Sequence, residues 1–210
     1  MTDCIAVLGC GRMGTALARE AARVGRAVCL GSRDPCKAVL AAEEVRSVNP
    51  TAVVRRGTYA EAVRGGDLVF LAVPFPEASE ALRTVRDWLP GRVVVDVTNP
   101  MGAVPCTTSG AEAHAAIIPH GGKIVAAWKT NYWTLLDPAI REGVVHDVFI
   151  CGDSETSKLR VSSFVSDVGF RPVDCGGLVN ARILDAMVAL LVENDRRYSN
   201  RHRSSWRFVP

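Results

Sequence analysis

Short apolar runs of four to six residues alternate along the first two thirds of the chain with amphipathic stretches of ten or more. This is the pattern of strands buried on both faces and joined by crossover helices. It predicts strands at Ile5 to Leu8, Ala27 to Leu30, Ala52 to Arg55, Leu68 to Val73, Val93 to Val97 and Ile124 to Ala127. Helices are expected to begin near Met13, Pro35, Thr58, Pro76 and Ala111. Local chemistry agrees with this register: Asp34 can cap a helix that opens on Pro35, and Thr58-Tyr59-Ala60-Glu61 has the spacing of a capping box. After residue 143 the rhythm changes to a strand at Asp147 to Cys151, a helix at Ser154 to Val168 stopped by Gly169, a strand at Pro172 to Cys175, and a long apolar helix from Leu178 to about Glu193. The fold class is therefore α/β, a doubly wound parallel sheet over residues 1-143 with a smaller C-terminal α+β lobe over 144-210, and a cleft between the two.

Gly9-Cys10-Gly11-Arg12-Met13-Gly14 stands between the first strand and the first helix. In that strand-turn-helix frame Gly9 permits a tight turn, Gly11 lets backbone approach a pyrophosphate, and Gly14 lets the helix pack closely on the strand. Phosphates then meet the free N–H groups of a helix N-terminus, here at Arg12 and Met13. The N-terminal region reads as a Rossmann dinucleotide-binding domain. At the end of the second strand an NAD site offers an acid to the ribose 2′-hydroxyl, whereas this chain offers Gly31-Ser32-Arg33. A guanidinium can pair with a 2′-phosphate, Ser32 can donate to it, and Lys37 can add a second charge, so the expected cofactor is NADP(H).

Composition narrows the class further. No apolar run approaches the ~20 residues that span a bilayer, and the start has no signal-type pattern, so no membrane partner and a cytoplasmic location are expected. The net charge of +3 hides an asymmetry: residues 196 to 210 hold five arginines and no acid. This is a basic tail, read as a solvated extension or a docking point for an anion; without a basic face, stacking aromatics or a reading motif, no nucleic acid is expected. Seven cysteines without a C-x-x-C pair read as reduced and mostly buried, with no metal; Cys10, inside the glycine loop, is open to alkylation there.

These residues, with Leu71-Ala72-Val73-Pro74, Val97-Thr98-Asn99-Pro100, Val125-Ala126-Ala127-Trp128-Lys129-Thr130, Cys151-Gly152-Asp153 and Arg171-Pro172-Val173-Asp174-Cys175-Gly176, make the chain resemble the NADPH-dependent reductases of the deazaflavin coenzyme F420. The resemblance runs nearly the whole length. It implies NADP(H) on the glycine loop, a hydride partner in the cleft (coenzyme F420 as co-substrate), and a homodimer. In its frame Val73 and Pro74 line the nicotinamide side of the groove, and Thr98 and Asn99 hydrogen-bond the ribose or carboxamide.

Lys129 departs from that resemblance, which leads to Asn or His in its place. A desolvated lysine at a strand end facing the nicotinamide could donate a proton to a reduced C=N or C=O, or bind an anionic substrate, with Trp128, Thr130 and Asn131 beside it as substrate contacts and Tyr132 and Trp133 extending an aromatic, hydrogen-bonding wall. With Lys129 as the catalytic residue, the residues lean to a small-molecule substrate, an imine, enamine or carbonyl metabolite reduced by NADPH. The alternatives are reduction of F420 and a non-enzymatic NADP(H)-sensing module.

Overall fold

The computed structural model describes residues 4–101 and 107–209, and in it the six expected strands form one parallel sheet. These are β1 (Ile5–Leu8), β2 (Val28–Gly31), β3 (Val54–Gly57), β4 (Leu68–Leu71), β5 (Val93–Asp96) and β6 (Lys123–Ala126), in the spatial order β3-β2-β1-β4-β5-β6. The order reverses between β1 and β4, the switch point where open α/β sheets bind ligands at the carboxyl ends of their strands. Every residue of β1, β2, β4 and β5 is buried, as unbroken apolar runs require. β2, β5 and β6 differ from expectation by a single residue at one or both ends, and β3 and β4 by two, for local reasons. β3 starts two residues later because Val54, not Ala52, registers with Val28 at the exposed edge. β4 stops at Leu71 because Ala72 and Val73 leave the ladder to pack under Gly9.

The crossover helices are α1 (Arg12–Arg23), α2 (Pro35–Val48), α3 (Tyr59–Gly65), α4 (Phe75–Val85) and α5 (Gly110–Ala115). The Asp34 carboxylate accepts from the amides of Cys36 and Lys37, and Thr58 with Glu61 closes the capping box, so both joints form as their chemistry dictates.

Past β6 come a short helix α6 (Pro138–Arg141), then β7 (Asp147–Ile150), α7 (Glu155–Asp167), β8 (Arg171–Asp174) and α8 (Ala181–Arg197). β7 and β8 form a parallel pair. Cys151 exchanges both backbone hydrogen bonds with Ala126 at 2.8 and 3.0 Å, which fastens this unit to the free edge of β6. The apolar cores run across residue 143: Phe70 and Val95 share one with Val148 and Phe164, and Leu8 and Leu71 share the other with Phe149, Leu178 and Leu184.

The basic tail keeps its arginines exposed, but its backbone folds back onto the protein. The Asp195 carboxylate of α8, buried and held low because hydrogen bonds from the tail outweigh its burial, accepts the amides of His202, Arg203 and Ser204 and the Ser204 hydroxyl. Ser205 bridges Asn131, His202 stacks on Tyr132 and Trp133, and the Trp206 indole donates to the Met187 carbonyl. Asp195, in the last turns of α8 and past the Glu193 end expected for that helix, is the acid that folds the tail back. Of the described cysteines only Cys29 and Cys151 are buried, and Cys36 is exposed; Cys106 lies outside the described residues. Burial pushes the Cys10 thiol up to about 11, so it is protonated at neutral pH and a slow target for alkylation. Among the described residues no helix is long and apolar enough to cross a membrane, and no group of side chains could hold a metal.

Candidate functional site

The glycine loop joins β1 to α1 at the switch point, and each glycine has its own reason. Gly9 adopts φ +109°, and a Cβ there would stand 2.6 Å from the Ala72 carbonyl oxygen. A Cβ on Gly14 would stand 1.9 Å from the Gly9 carbonyl oxygen, so only glycine lets α1 start this close to β1. A Cβ on Gly11 would meet nothing within 4 Å. Gly11 is also the N-cap of α1 and supplies no side-chain cap, which leaves the first-turn amides, from Arg12 and Met13 onward, without an intrahelical acceptor. Open space before unsatisfied N–H groups fits a pyrophosphate.

At the ends of β2 and β3 a cavity of about 470 Å³ is lined by Ser32, Arg33, Arg56, Thr58 and Tyr59. Ser32 and Arg33, expected at a 2′-phosphate, both line this cavity. Arg33 is 64% exposed in its side chain and ion-paired with Glu77 at the head of α4. Lys37 is exposed on α2 and does not line this cavity; Arg56, which the sequence reading passed over, supplies the second guanidinium. Its signal was present in Arg55-Arg56 at the end of a strand that must lie beside β2. If this cavity holds the 2′-phosphate, Arg33→Ala is expected to weaken NADPH by ~1–3 kcal/mol, the worth of a charged hydrogen-bonded contact, and to leave NADH nearly unchanged. Calorimetric titration of both cofactors checks this, and equal affinities in the unsubstituted chain would refute it.

On the other side of the loop, a cavity of about 280 Å³ lies at the ends of β5 and β6 beneath α8. Met13, Val97, Asn99, Asn131, Tyr132 and Trp133 wall it with Val188 and Leu191 of α8. Val73 is buried against Gly9 and Pro74 is exposed at the cap of α4, and neither lines this cavity.

Lys129 does not present its ammonium to the groove. The residue is 2% exposed and its side chain not at all, so only its backbone reaches the cavity. Its Nζ donates to the Thr98 carbonyl at 2.6 Å and lies 3.0 Å from Asp185 Oδ1, an ion pair off hydrogen-bond geometry, and 3.9 Å from Asp96 Oδ2. Asp96 also accepts from the amide and hydroxyl of Thr98 and from His114 Nδ1 at 3.0 Å. Burial opposes the Asp96 charge, but Lys129, His114 and Thr98 outweigh it and hold the carboxyl at about 2. The Thr98 hydroxyl is spent on Asp96 rather than offered to a ribose. Trp128 is fully buried, packed edge-on against Phe70, Phe164 and Phe170, and Thr130 is buried as well. Of the wall expected beside Lys129, Trp128, Asn131, Tyr132 and Trp133 all line this cavity, Trp128 as a core side chain at its edge, and Thr130 does not. Trp128 takes φ +51°, which breaks strand alternation after β6 and turns its ring inward.

The fold and this groove have close relatives. The family described as NADP oxidoreductase, coenzyme F420-dependent, matches residues 4–100. An F420-dependent NADP reductase of Methanothermobacter marburgensis is 33% identical over 204 residues, covering 90% of each chain. One from Methanothermobacter thermautotrophicus is 31% identical over 96% of this chain and 92% of its own. A crystal structure from Arthrobacter sp. FB24 that carries the same family's name superposes with a TM-score of 0.85 at 25% identity, covering 98% of this chain and 99% of that one. With the glycine loop, the Ser32-Arg33 pocket and full-length similarity in agreement, the chain belongs to the family of F420-dependent NADP reductases.

Proposed function

We propose that the chain transfers a hydride between NADP(H) and the deazaflavin coenzyme F420, with the cavity beneath α8 as the place where the two rings meet. The enclosure of Lys129 carries this reading over reduction of a small imine, enamine or carbonyl. Exchange between two rings rests on alignment and exclusion of water, whereas reduction of C=N or C=O benefits from a donor on the protein, and the lysine expected in that role is shut away from the groove. Bound NADPH supplies the hydride. The chain's own part is to hold and to exclude: the first turn of α1 receives the pyrophosphate, Ser32, Arg33 and Arg56 the 2′-phosphate, and Met13, Val97, Val188 and Leu191 keep water from the ring. On this reading residues 1-143 form the cofactor domain and 144-210 its cover. Val179, Ile183 and Leu190, exposed around α8, offer a face for the homodimer that the family resemblance implies.

One observation favours the small-substrate reading. Tyr132 lines the cavity, and burial together with the Asp195 charge raises its phenol, so it stays protonated at neutral pH. Incubation with NADPH and either oxidised F420 or a cyclic imine, followed at the nicotinamide absorbance, separates the two. Consumption with F420 and none with the imine is expected. Consumption with the imine alone would overturn the F420 assignment, and Tyr132→Phe should then cut turnover by ~10²-fold or more.

A further inference from the structure

The structure assigns Lys129 and Asp185 the role of positioning residues that set the orientation of Asn99 at the nicotinamide end of the groove. This rests on the cofactor reading above.

Asn99 lies in the turn after β5, just past Thr98, and shares the cavity wall with Met13 of the glycine loop. Its Nδ2 donates to the Lys129 carbonyl at 3.0 Å, and its Oδ1 is enclosed with no hydrogen-bond partner among the described residues. With one N–H of the amide held by the Lys129 carbonyl, the side chain is turned so that Oδ1 is the unpaired acceptor, and the ligand group complementary to it is an N–H donor such as a carboxamide. An unpaired buried acceptor is costly, so something outside the Asn99 side chain must keep it in place.

Lys129 grips this turn at two points. Its carbonyl takes the Asn99 amide, and its Nζ donates to the carbonyl of Thr98, the residue before. The ammonium is in turn fixed from the far side by Asp185 of α8, whose other oxygen accepts the Gly110 amide at 2.8 Å, and by Asp96 at the end of β5. The clamp therefore ties together β5, β6, the start of α5 and α8 around one asparagine. A lysine buried only for stability would need no contact on this turn. Here every polar contact of its side chain and its carbonyl is made to the β5 turn or to the groups that brace it.

Single removal of Lys129 leaves buried carboxylates unpaired and risks the fold, so the test uses Lys129→Met/Asp185→Asn, in which the asparagine can still accept from Gly110, and separately Asn99→Ala. Affinities for NADP⁺ and for 2′,5′-ADP, which lacks the nicotinamide, are measured by calorimetry. Asn99→Ala and the paired variant should each lower NADP⁺ affinity about tenfold and leave 2′,5′-ADP within twofold. Combining them should lower NADP⁺ no further, because both changes act through one side chain. Additive losses would overturn the proposal, as would equal losses for the two ligands, or NADP⁺ affinity unchanged in the paired variant. Failure of the unsubstituted chain to bind 2′,5′-ADP would overturn the cofactor reading and this proposal with it, whereas intact 2′,5′-ADP binding with any of those results refutes the clamp alone.

Discussion

Lys129→Met is expected to destabilise the fold by about 3–5 kcal/mol, the cost of removing one partner from a buried ion pair. The side chain is fully enclosed, and its loss leaves Asp185 without a cation and Asp96 with only His114 and Thr98. Urea denaturation measures the loss, and Lys129→Met/Asp185→Asn should recover a large part of it, because the second change removes the stranded charge. The acid limb of stability should move as well. Asp96 is held at about 2 in the folded chain, against ~3.9 for an unperturbed aspartate, so its charge adds stability that is complete above the unfolded value and drains away as the pH falls through about 2. Without Lys129 the folded value rises toward the unfolded one, and that contribution shrinks. A loss below ~1 kcal/mol with an unmoved acid limb would show that the ammonium is solvated, contrary to its burial.

Two glycine substitutions in the loop are expected to separate folding from binding. Gly14→Ala places a Cβ 1.9 Å from the Gly9 carbonyl oxygen, a backbone atom that cannot yield without moving α1 off β1. It should cost about 3 kcal/mol or more, at or beyond the upper end for overpacking, and abolish measurable dinucleotide binding. Gly11→Ala meets no protein atom within 4 Å, so thermal stability should hold, while the methyl stands where a pyrophosphate must approach and affinity should fall at least tenfold. Thermal melts paired with NADP⁺ titration check both. If Gly11→Ala bound NADP⁺ normally, the pyrophosphate would have to lie elsewhere.

Much of the molecule was legible one residue at a time. β1 ran where its apolar run placed it, Asp34 and Thr58 capped their helices, and the glycine loop opened α1, because each depends on neighbours a few positions away. The place of Ser32 and Arg33 near the glycine loop was legible because a parallel strand next to β1 must end beside that loop. Arg56 belonged to the same reasoning, and only the one-step extension to β3 was missing.

What local pattern could not supply was direction and partner. The run Val125-Ala126-Ala127-Trp128-Lys129 gives no sign that Trp128 takes a left-handed φ, so period-two alternation misassigns the faces of Trp128 and Lys129. Nor does it show that Asp96, far back on β5, and Asp185, far ahead on α8, converge on the same ammonium. The tail has the same history: its five arginines are exposed as read, but its backbone is tied down where Asp195 gathers three amides. The sequence by itself determined the sheet, the caps and the glycine turn that opens α1, since those follow from backbone geometry and short-range hydrogen bonding. The tertiary structure alone decided that Lys129 is a buried clamp and the tail a packed strap, because the sign and depth of a charge's surroundings are set by residues that only folding brings within a few ångströms.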